Sequence, residues 1–267
     1  METTNKYDPV VDEERILWRR AAVRNILILG GMILSCWYAG LFDGKRLVEG
    51  IPSIIHLAGE MLPPNFQNAA SWAFPLLNTL SMSIAGTVLA VLFSFPLALL
   101  GARNTSPNAA VYQFSRGVLN VLRSVPELIM GIIFVAAVGF GTLPGVLALG
   151  IHSIGMVGKF FAEAIEHADP APVEAVKATG AGRAQVILHG ILPQVLPQIA
   201  DVMVYRWEYN FRASTVMGMV GAGGIGFELM ASLRIMQYQE VSAILLVILA
   251  MVTLVDGIGA RLRKRFK

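Results

Sequence analysis

Apolar residues along the chain fall into six long stretches separated by polar segments. A helix needs about 20 mostly apolar residues to cross the roughly 30 Å hydrocarbon core of a bilayer, and each stretch meets or approaches that length. The predicted spans cover residues 26–42, 76–100, 118–138, 145–165, 194–216 and 241–258. The pattern therefore predicts an all-α polytopic membrane protein with six transmembrane helices.

The segment between the first two stretches, residues 43–75, is too polar to span a membrane. Apolar residues nevertheless recur within it at helical spacing, and a Pro-Pro pair ends the pattern. These residues are Ile51, Ile54, Ile55 and Ala58, followed by Pro63 and Pro64. We expect a short amphipathic helix that lies on the outer leaflet.

Composition supports a membrane protein and excludes several other classes. The chain of 267 residues is 55% hydrophobic and only 15% charged, whereas soluble domains are about 25% charged. Disordered, collagenous and nucleic-acid-binding classes are excluded on this ground. Cys36 is the single cysteine, so an internal disulfide and a cysteine-based metal site are excluded as well. The four histidines lack ligand spacing, and no metal site is predicted.

The distribution of lysine and arginine predicts the orientation. With six spans both termini lie on one side, which then carries most of the 21 lysines and arginines, and such an excess marks the cytoplasmic side. The basic residues of the two tails are Lys6, Arg15, Arg19, Arg20, Arg24, Arg261, Arg263, Lys264, Arg265 and Lys267. We therefore expect cytoplasmic tails at residues 1–25 and 261–267. The polar leader argues against a cleavable signal.

The loop between the fourth and fifth spans, about residues 166–193, has helix signals and many small residues. Asp169 can cap a helix, Pro170 suits its first turn and Gly180 suits its end. These signals predict a helix of about ten residues, followed by a second turn that ends near Pro193. Composition alone leaves a plain connecting loop as an alternative.

Charged and polar residues within the fifth span form one helical stripe. Its members, at intervals of four and three residues, are Asp201, Tyr205, Glu208, Arg212 and Thr215. A charged side chain at the centre of a membrane helix costs about 2.5–3.5 kcal/mol, so the stripe must face protein or water. Two interpretations stay open: Glu208 and Arg212 pair at i, i+4 to hold helices together, or the stripe lines a path for a charged solute.

Residues 174–193 read EAVKATGAGRAQVILHGILP. This segment resembles the signature cytoplasmic loop of ATP-binding-cassette (ABC) importer permeases, which has E-A-A, three residues, G, nine residues and I-x-L-P. The residues in register are Glu174, Ala175, Gly180, Leu192 and Pro193. Val176 replaces the third alanine, and Gly190 stands where the pattern has isoleucine. Residues 61–66, 121–134 and 214–229 are similar to the permease subunit of phosphonate importers.

The resemblance implies a fold, partners and a location. Residues 76–260 would form a type I ABC importer transmembrane domain, and the five residues in register would couple it to a separate ATPase dimer. That ATPase would use ATP and Mg; this chain would bind no cofactor, since it has no G-x-x-x-x-G-K-[ST] motif. A homodimer in the lipid of the bacterial inner membrane, a periplasmic substrate-binding protein and no nucleic acid complete the expected assembly.

The resemblance also implies a substrate, a phosphonate-like small oxyanion that needs weakly binding cationic or donor groups. The candidates for the path or its gate are Arg123, Glu127, Arg206, Glu208, Asn210, Arg212 and Ser214. Arg123 and Glu127 are four residues apart across Pro126, and a structural ion pair or a gate both fit them. Phosphite, phosphate or another small solute is an alternative substrate. A proton-coupled secondary transporter using Glu127, Asp201 or Glu208 is the alternative class.

One further motif is excluded as a nucleotide site. Residues 221–226 match G-x-G-x-x-G, but a dinucleotide site requires a preceding strand within a β-α-β unit, which the pattern does not predict. A glycine-rich external re-entrant turn is expected instead.

Overall fold

The computed structural model describes residues 8–266, and every regular element among them is helical. It divides into an N-terminal unit that ends at Gly59 and a larger unit that begins at Glu60. Lys6 and Lys267, which contribute to the charge argument, lie outside the described residues. The all-α class is confirmed.

The N-terminal unit contains the first two helices. Helix α1 (Asp8–Tyr38) begins inside the predicted tail and ends four residues before the predicted end of the first span. The helix extends beyond the predicted span because residues 11–24 contain no glycine or proline, and their side chains mostly favour a helix. Helix α2 (Gly44–Glu60) confirms the predicted amphipathic helix, and none of its residues is buried.

The larger unit is built from nine α-helices among the described residues. They are α3 (Ala73–Leu100), α4 (Ala109–Ser124), α5 (Glu127–Val138), α6 (Thr142–Glu166), α7 (Pro170–Ala178), α8 (Arg183–Gln185), α9 (Leu192–Met217), α10 (Ile225–Arg234) and α11 (Tyr238–Phe266). Short turns complete the path: 3₁₀ at Ala69–Trp72 and Gly218–Val220, and π-helical at Val186–Ile191. Five helical stretches in the described chain are long and apolar enough to cross a membrane.

The third predicted span, residues 118–138, is wrong as a single helix. Helices α4 and α5 meet at an angle of 83°, and together they would supply a sixth crossing. Val125 precedes a proline and is extended, with ψ of 122°, because the proline ring disfavours helical backbone in the residue before it. The 12 residues of α5 reach only about 18 Å, which is too short to cross alone.

Helix α6 lies at the centre of the larger unit and packs against α3, α4, α5 and α9. Its buried face includes Leu149, Phe161 and Ile165. At Gly155 the backbones of α4 and α6 approach so closely that a Cβ atom would lie 2.6 Å from the carbonyl oxygen of Leu119. The close packing of α4 on α6 therefore depends on the lack of a side chain at Gly155.

Two helices in the C-terminal half likewise extend further than the pattern indicates. The second turn expected to end near Pro193 instead continues, so that residues 183–220 form one helical stretch. Pro193 follows directly on the π-helical turn, where the regular i→i−4 hydrogen bonding is already interrupted. The predicted basic tail at residues 261–267 is helical through Phe266, as the last turns of α11.

Candidate functional site

A chain of hydrogen bonds connects the buried side chains of three helices. Arg206 of α9 donates through Nε to Ser153 Oγ of α6 at 2.7 Å. Ser153 in turn donates to Asn210 Oδ1 at 3.1 Å, and Asn210 Nδ2 donates to Thr87 Oγ1 of α3 at 2.9 Å. Arg206 is only 3% exposed and Asn210 is fully buried. This series of hydrogen bonds therefore fixes the guanidinium of Arg206 in the interior of the larger unit.

The other face of Arg206 points towards an acid on α5. Arg206 Nη2 lies 3.8 Å from Glu127 Oε2, and its guanidinium carbon lies 4.2 Å from the ring centroid of Tyr209, a favourable cation–π distance. Tyr209 also donates a 3.0 Å hydrogen bond to Glu127 Oε1. Both Arg206 Nη2 and Glu127 Oε2 are buried without a hydrogen-bond partner among residues 8–266.

A histidine of α6 faces the same carboxylate. His152 Nε2 lies 3.9 Å from Glu127 Oε2, and its Nδ1 lies 3.0 Å from the carbonyl oxygen of Val125. A carbonyl can only accept, so Nδ1 carries the hydrogen of that bond. Glu127 is therefore surrounded by three side chains from two other helices: Arg206, Tyr209 and His152.

The acidic and basic residues on the opposite side of α9 pair with α11. Arg263 Nη1 donates to Glu208 Oε1 at 2.6 Å, and its Nε lies 3.9 Å from Asp201 Oδ1. Arg212 Nη1 lies 2.8 Å from Asp256 Oδ1. The interpretation that Glu208 and Arg212 pair with each other is thus wrong, because α11 offers both of them a closer partner. The stripe holds two helices together.

Ser214 and the glycine-rich turn meet at the beginning of α3. Ser214 Oγ lies within hydrogen-bonding distance of the carbonyl oxygens of Thr79 and Phe211, at 3.2 and 2.7 Å. Thr79 Oγ1 accepts from the backbone N–H of Ile225 at 2.9 Å, just after the turn. Gly221, Gly223 and Gly224 have positive φ values of 97°, 74° and 77°. No strand precedes them in the described chain, which excludes a dinucleotide site, while the external position of the turn stays a prediction.

Arg123 lies apart from the buried charges. It is exposed near the end of α4, beside a cavity lined by Asn120, Ser124, His152 and Met156. No ion pair joins it to Glu127 in the described part of the chain, because the break at Pro126 removes the i, i+4 relation of a continuous helix.

The predicted helix in the 166–193 loop is confirmed as α7. Asp169 Oδ1 accepts from the N–H of Ala171 at 2.9 Å and caps the helix, and Gly180 follows it with φ of 79°. Glu174 and Ala175 are exposed. A Cβ on Gly190 would lie 3.3 Å from the Cα of Val173, so the glycine allows α7 to pack closely on the π-helical turn.

A glutamine connects α7 to the start of α9, where Leu192 and Pro193 form the first turn. Gln194 Oε1 accepts from the N–H of Asp169 at 2.9 Å, and Gln194 Nε2 donates to the carbonyl oxygen of Gly190 at 2.5 Å. The N-terminus of α7 is thereby tied to the helix that carries Arg206.

The exposed helix α7 and the buried polar cluster around Arg206 are consistent with the family that the sequence matches. Residues 90–267 match the family described as "Binding-protein-dependent transport system inner membrane component". The chain belongs to this family. It is the permease component of an ABC importer, a transport subunit rather than an enzyme.

Relatives of the permease include proteins named for the transport of phosphorus oxyanions. The phosphite transport system permease protein PtxC of Stutzerimonas stutzeri is 65% identical over 97% of this chain and 96% of its own length. The phosphate-import permease protein PhnE of Mycolicibacterium smegmatis (strain ATCC 700084 / mc(2)155) is 42% identical over 87% of this chain, which corresponds to 43% of that longer protein.

A solved structure has the same fold as the permease. The match is to a chain of the MetNI methionine ABC transporter in an inward-facing conformation, with a TM-score of 0.65 and 20% identity. It covers 73% of this chain and 96% of that chain. The type I importer fold is thereby confirmed.

The structure brings some predicted site residues of the permease together and separates others. Arg206, Asn210 and Glu127 share the interior cluster, whereas Glu208 and Arg212 face α11. Sequence reasoning missed Thr87, Ser153, Tyr209, Asp256 and Gln194. Asp256 could have been identified from the sequence, because it is a lone acid within the sixth predicted span. Thr87 and Ser153 offered none, since small hydroxyl residues are common in membrane helices.

Proposed function

We propose that this permease forms the translocation path for a small phosphorus oxyanion, with phosphite as the first substrate to test. The observation that carries the proposal is the 65% identity, over nearly the whole chain, to a permease named for phosphite transport. The relative named for phosphate import supports the wider class. Phosphonates, which the sequence motifs favour, belong to the same chemical class.

The interior cluster supplies groups suited to such an anion. Arg206 is a buried cation, and the side-chain amide of Asn210 and the hydroxyl of Ser153 lie beside it. Each has a partner within the protein, so an anion would have to compete for them. Weak binding of this kind suits transport, because a tightly held solute is not released.

Coupling to ATP is proposed for the loop helix. Glu174, Ala175 and Gly180 are exposed on or just after α7 and are available to a partner. Leu192 and Pro193 begin α9, so a push on α7 would reach the helix of Arg206 directly. A partner ATPase would bind and hydrolyse ATP with Mg.

The proposed assembly follows from the single loop. Each chain carries one α7, and cassette ATPases act in pairs, so two copies of this permease would bind an ATPase dimer. A periplasmic substrate-binding protein would deliver the anion to the outer face. Both termini would lie in the cytoplasm, with the bacterial inner membrane as the location.

The test is reconstitution of the permease, its ATPase and its binding protein in proteoliposomes. We expect ATP-dependent uptake of phosphite, measured beside methylphosphonate and phosphate. Uptake of methylphosphonate or phosphate, with no uptake of phosphite, would show that the substrate is another member of the same class. Active ATP hydrolysis with uptake of none of the three would overturn the class of substrate. Uptake driven by a pH gradient without ATP would instead support the secondary transporter.

A further inference from the structure

The carboxylate of Glu127 lies beside the buried guanidinium of Arg206. It faces Arg206 Nη2 at 3.8 Å and accepts a hydrogen bond from Tyr209. We propose that Glu127 is an internal counter-ion: it occupies the anion position beside Arg206 when the path is closed, and the oxyanion replaces it when the path opens. The inference rests on the proposed function, and adds to it a residue that excludes anions at rest.

The first argument is the incomplete pairing of Arg206. Its Nε is committed to Ser153 and its flat face lies on Tyr209, which leaves Nη2 buried and without a hydrogen bond in the described chain. Charge-assisted N–H···O bonds are about 2.7–2.9 Å long, so the 3.8 Å separation from Glu127 Oε2 is an attraction without a hydrogen bond. A donor is thus left available to a better-placed anion.

The second argument is chemical equivalence. A carboxylate and a phosphorus oxyanion both present pairs of oxygen acceptors to the planar fork of a guanidinium. The groups around Glu127, namely Arg206, Tyr209 and His152, can therefore receive either anion. By contrast, Glu208 makes a 2.6 Å hydrogen bond with Arg263, and that close pair leaves no comparable gap.

The third argument is the difference in attachment between the two partners. Arg206 is held by hydrogen bonds that continue through Ser153 and Asn210 to Thr87. Glu127 is the first residue of α5 and follows the break at Pro126, where helical hydrogen bonding is interrupted. Movement of α5 about that break would withdraw the carboxylate while the guanidinium stays in place.

The test uses the complete importer in proteoliposomes loaded with phosphite, with efflux measured in the absence of ATP. Glu127→Gln keeps the shape and the acceptor for Tyr209 but removes the charge. We expect it to raise ATP-independent phosphite efflux on the order of tenfold over the wild type. In Glu127→Gln combined with Arg206→Gln, efflux is expected to return to the wild-type level, since no unpaired cation is left.

Glu163→Gln is the matched control, because Glu163 of α6 is a partly exposed acid whose partner, Lys159, lies on the same helix at 3.6 Å. Its efflux should equal that of the wild type. Efflux from Glu127→Gln at the wild-type level would overturn the inference, whether or not uptake is retained. Leakage that persists in the double variant, or that admits sucrose equally, would show a general opening and overturn it too. ATP-dependent uptake by the wild type in the same vesicles tests the proposed function separately.

Discussion

Arg212 of α9 and Asp256 of α11 form a 2.8 Å ion pair that joins the two helices. Their side chains are 43% and 45% exposed, so the pair lies at the edge of the helical unit. One turn of α9 away, Arg263 pairs with Glu208. The two pairs join α11 to α9 on the side facing away from the interior cluster, whereas Arg206 faces inwards.

The Arg212–Asp256 pair is expected to stabilise the contact between α9 and α11. Asp256→Asn leaves Arg212 without its counter-ion and should lower the free energy of unfolding by about 1 kcal/mol, as for partly exposed pairs. The charge swap Arg212→Asp with Asp256→Arg should recover most of the loss. Thermal unfolding of the purified permease in detergent measures both. A swap no more stable than Asp256→Asn alone would contradict the pair's role.

Gly155 is expected to tolerate no side chain. Gly155→Ala would bring a methyl group within 2.6 Å of the Leu119 carbonyl oxygen, and overpacking of this kind costs about 1–3 kcal/mol. Gly117→Ala on α4 is the matched control: no atom lies within 4 Å of its added Cβ, and alanine favours the helix by up to about 1 kcal/mol. Membrane expression and the unfolding temperature should fall for the first and not for the second.

Gln194 is expected to transmit movement from α7 to α9. Gln194→Ala removes the two hydrogen bonds between its side chain and the backbone of Asp169 at the N-terminus of α7, so ATP hydrolysis should continue while the solute taken up per ATP falls several-fold. Gln198→Ala, one turn later and exposed, is the control. The measurement is the ratio of solute uptake to phosphate release in proteoliposomes. An unchanged ratio in Gln194→Ala would show that Gln194 does not transmit the movement of α7.

The location of the C-terminus is expected to match that of the N-terminus. Five helical stretches in the described residues are long and apolar enough to cross singly, and the bent pair α4–α5 must supply a sixth crossing for both ends to lie together. Reporter fusions active only in the cytoplasm, placed at each terminus, measure this directly. Activity at one end alone would show that α4 and α5 re-enter the same side of the membrane.

Sequence periodicity predicted the faces of helices but not their partners. The stripe of Asp201, Glu208 and Arg212 was found from spacing, yet its partners lie on α11, about fifty residues later, and no periodic pattern joins the two segments. The helix α7 was predicted well because its cap, proline and glycine signals are local. The break before Pro126 was predictable from the same local rules, although the apolar pattern continues across it.

The glycines of α6 also bear on how the protein is synthesised and inserted. Gly145 and Gly150 lie against Met82 and Leu89 of α3, and Gly155 and Gly158 lie against α4. Glycine weakens a helix by about 1 kcal/mol relative to alanine, so α6 gains its stability from neighbours more than from its own residues. The ribosome makes α3 and α4 before α6, so both receiving surfaces exist when α6 enters the membrane. In a circular permutation that reversed this order, α6 would enter the membrane before the surfaces of α3 and α4 that it packs against.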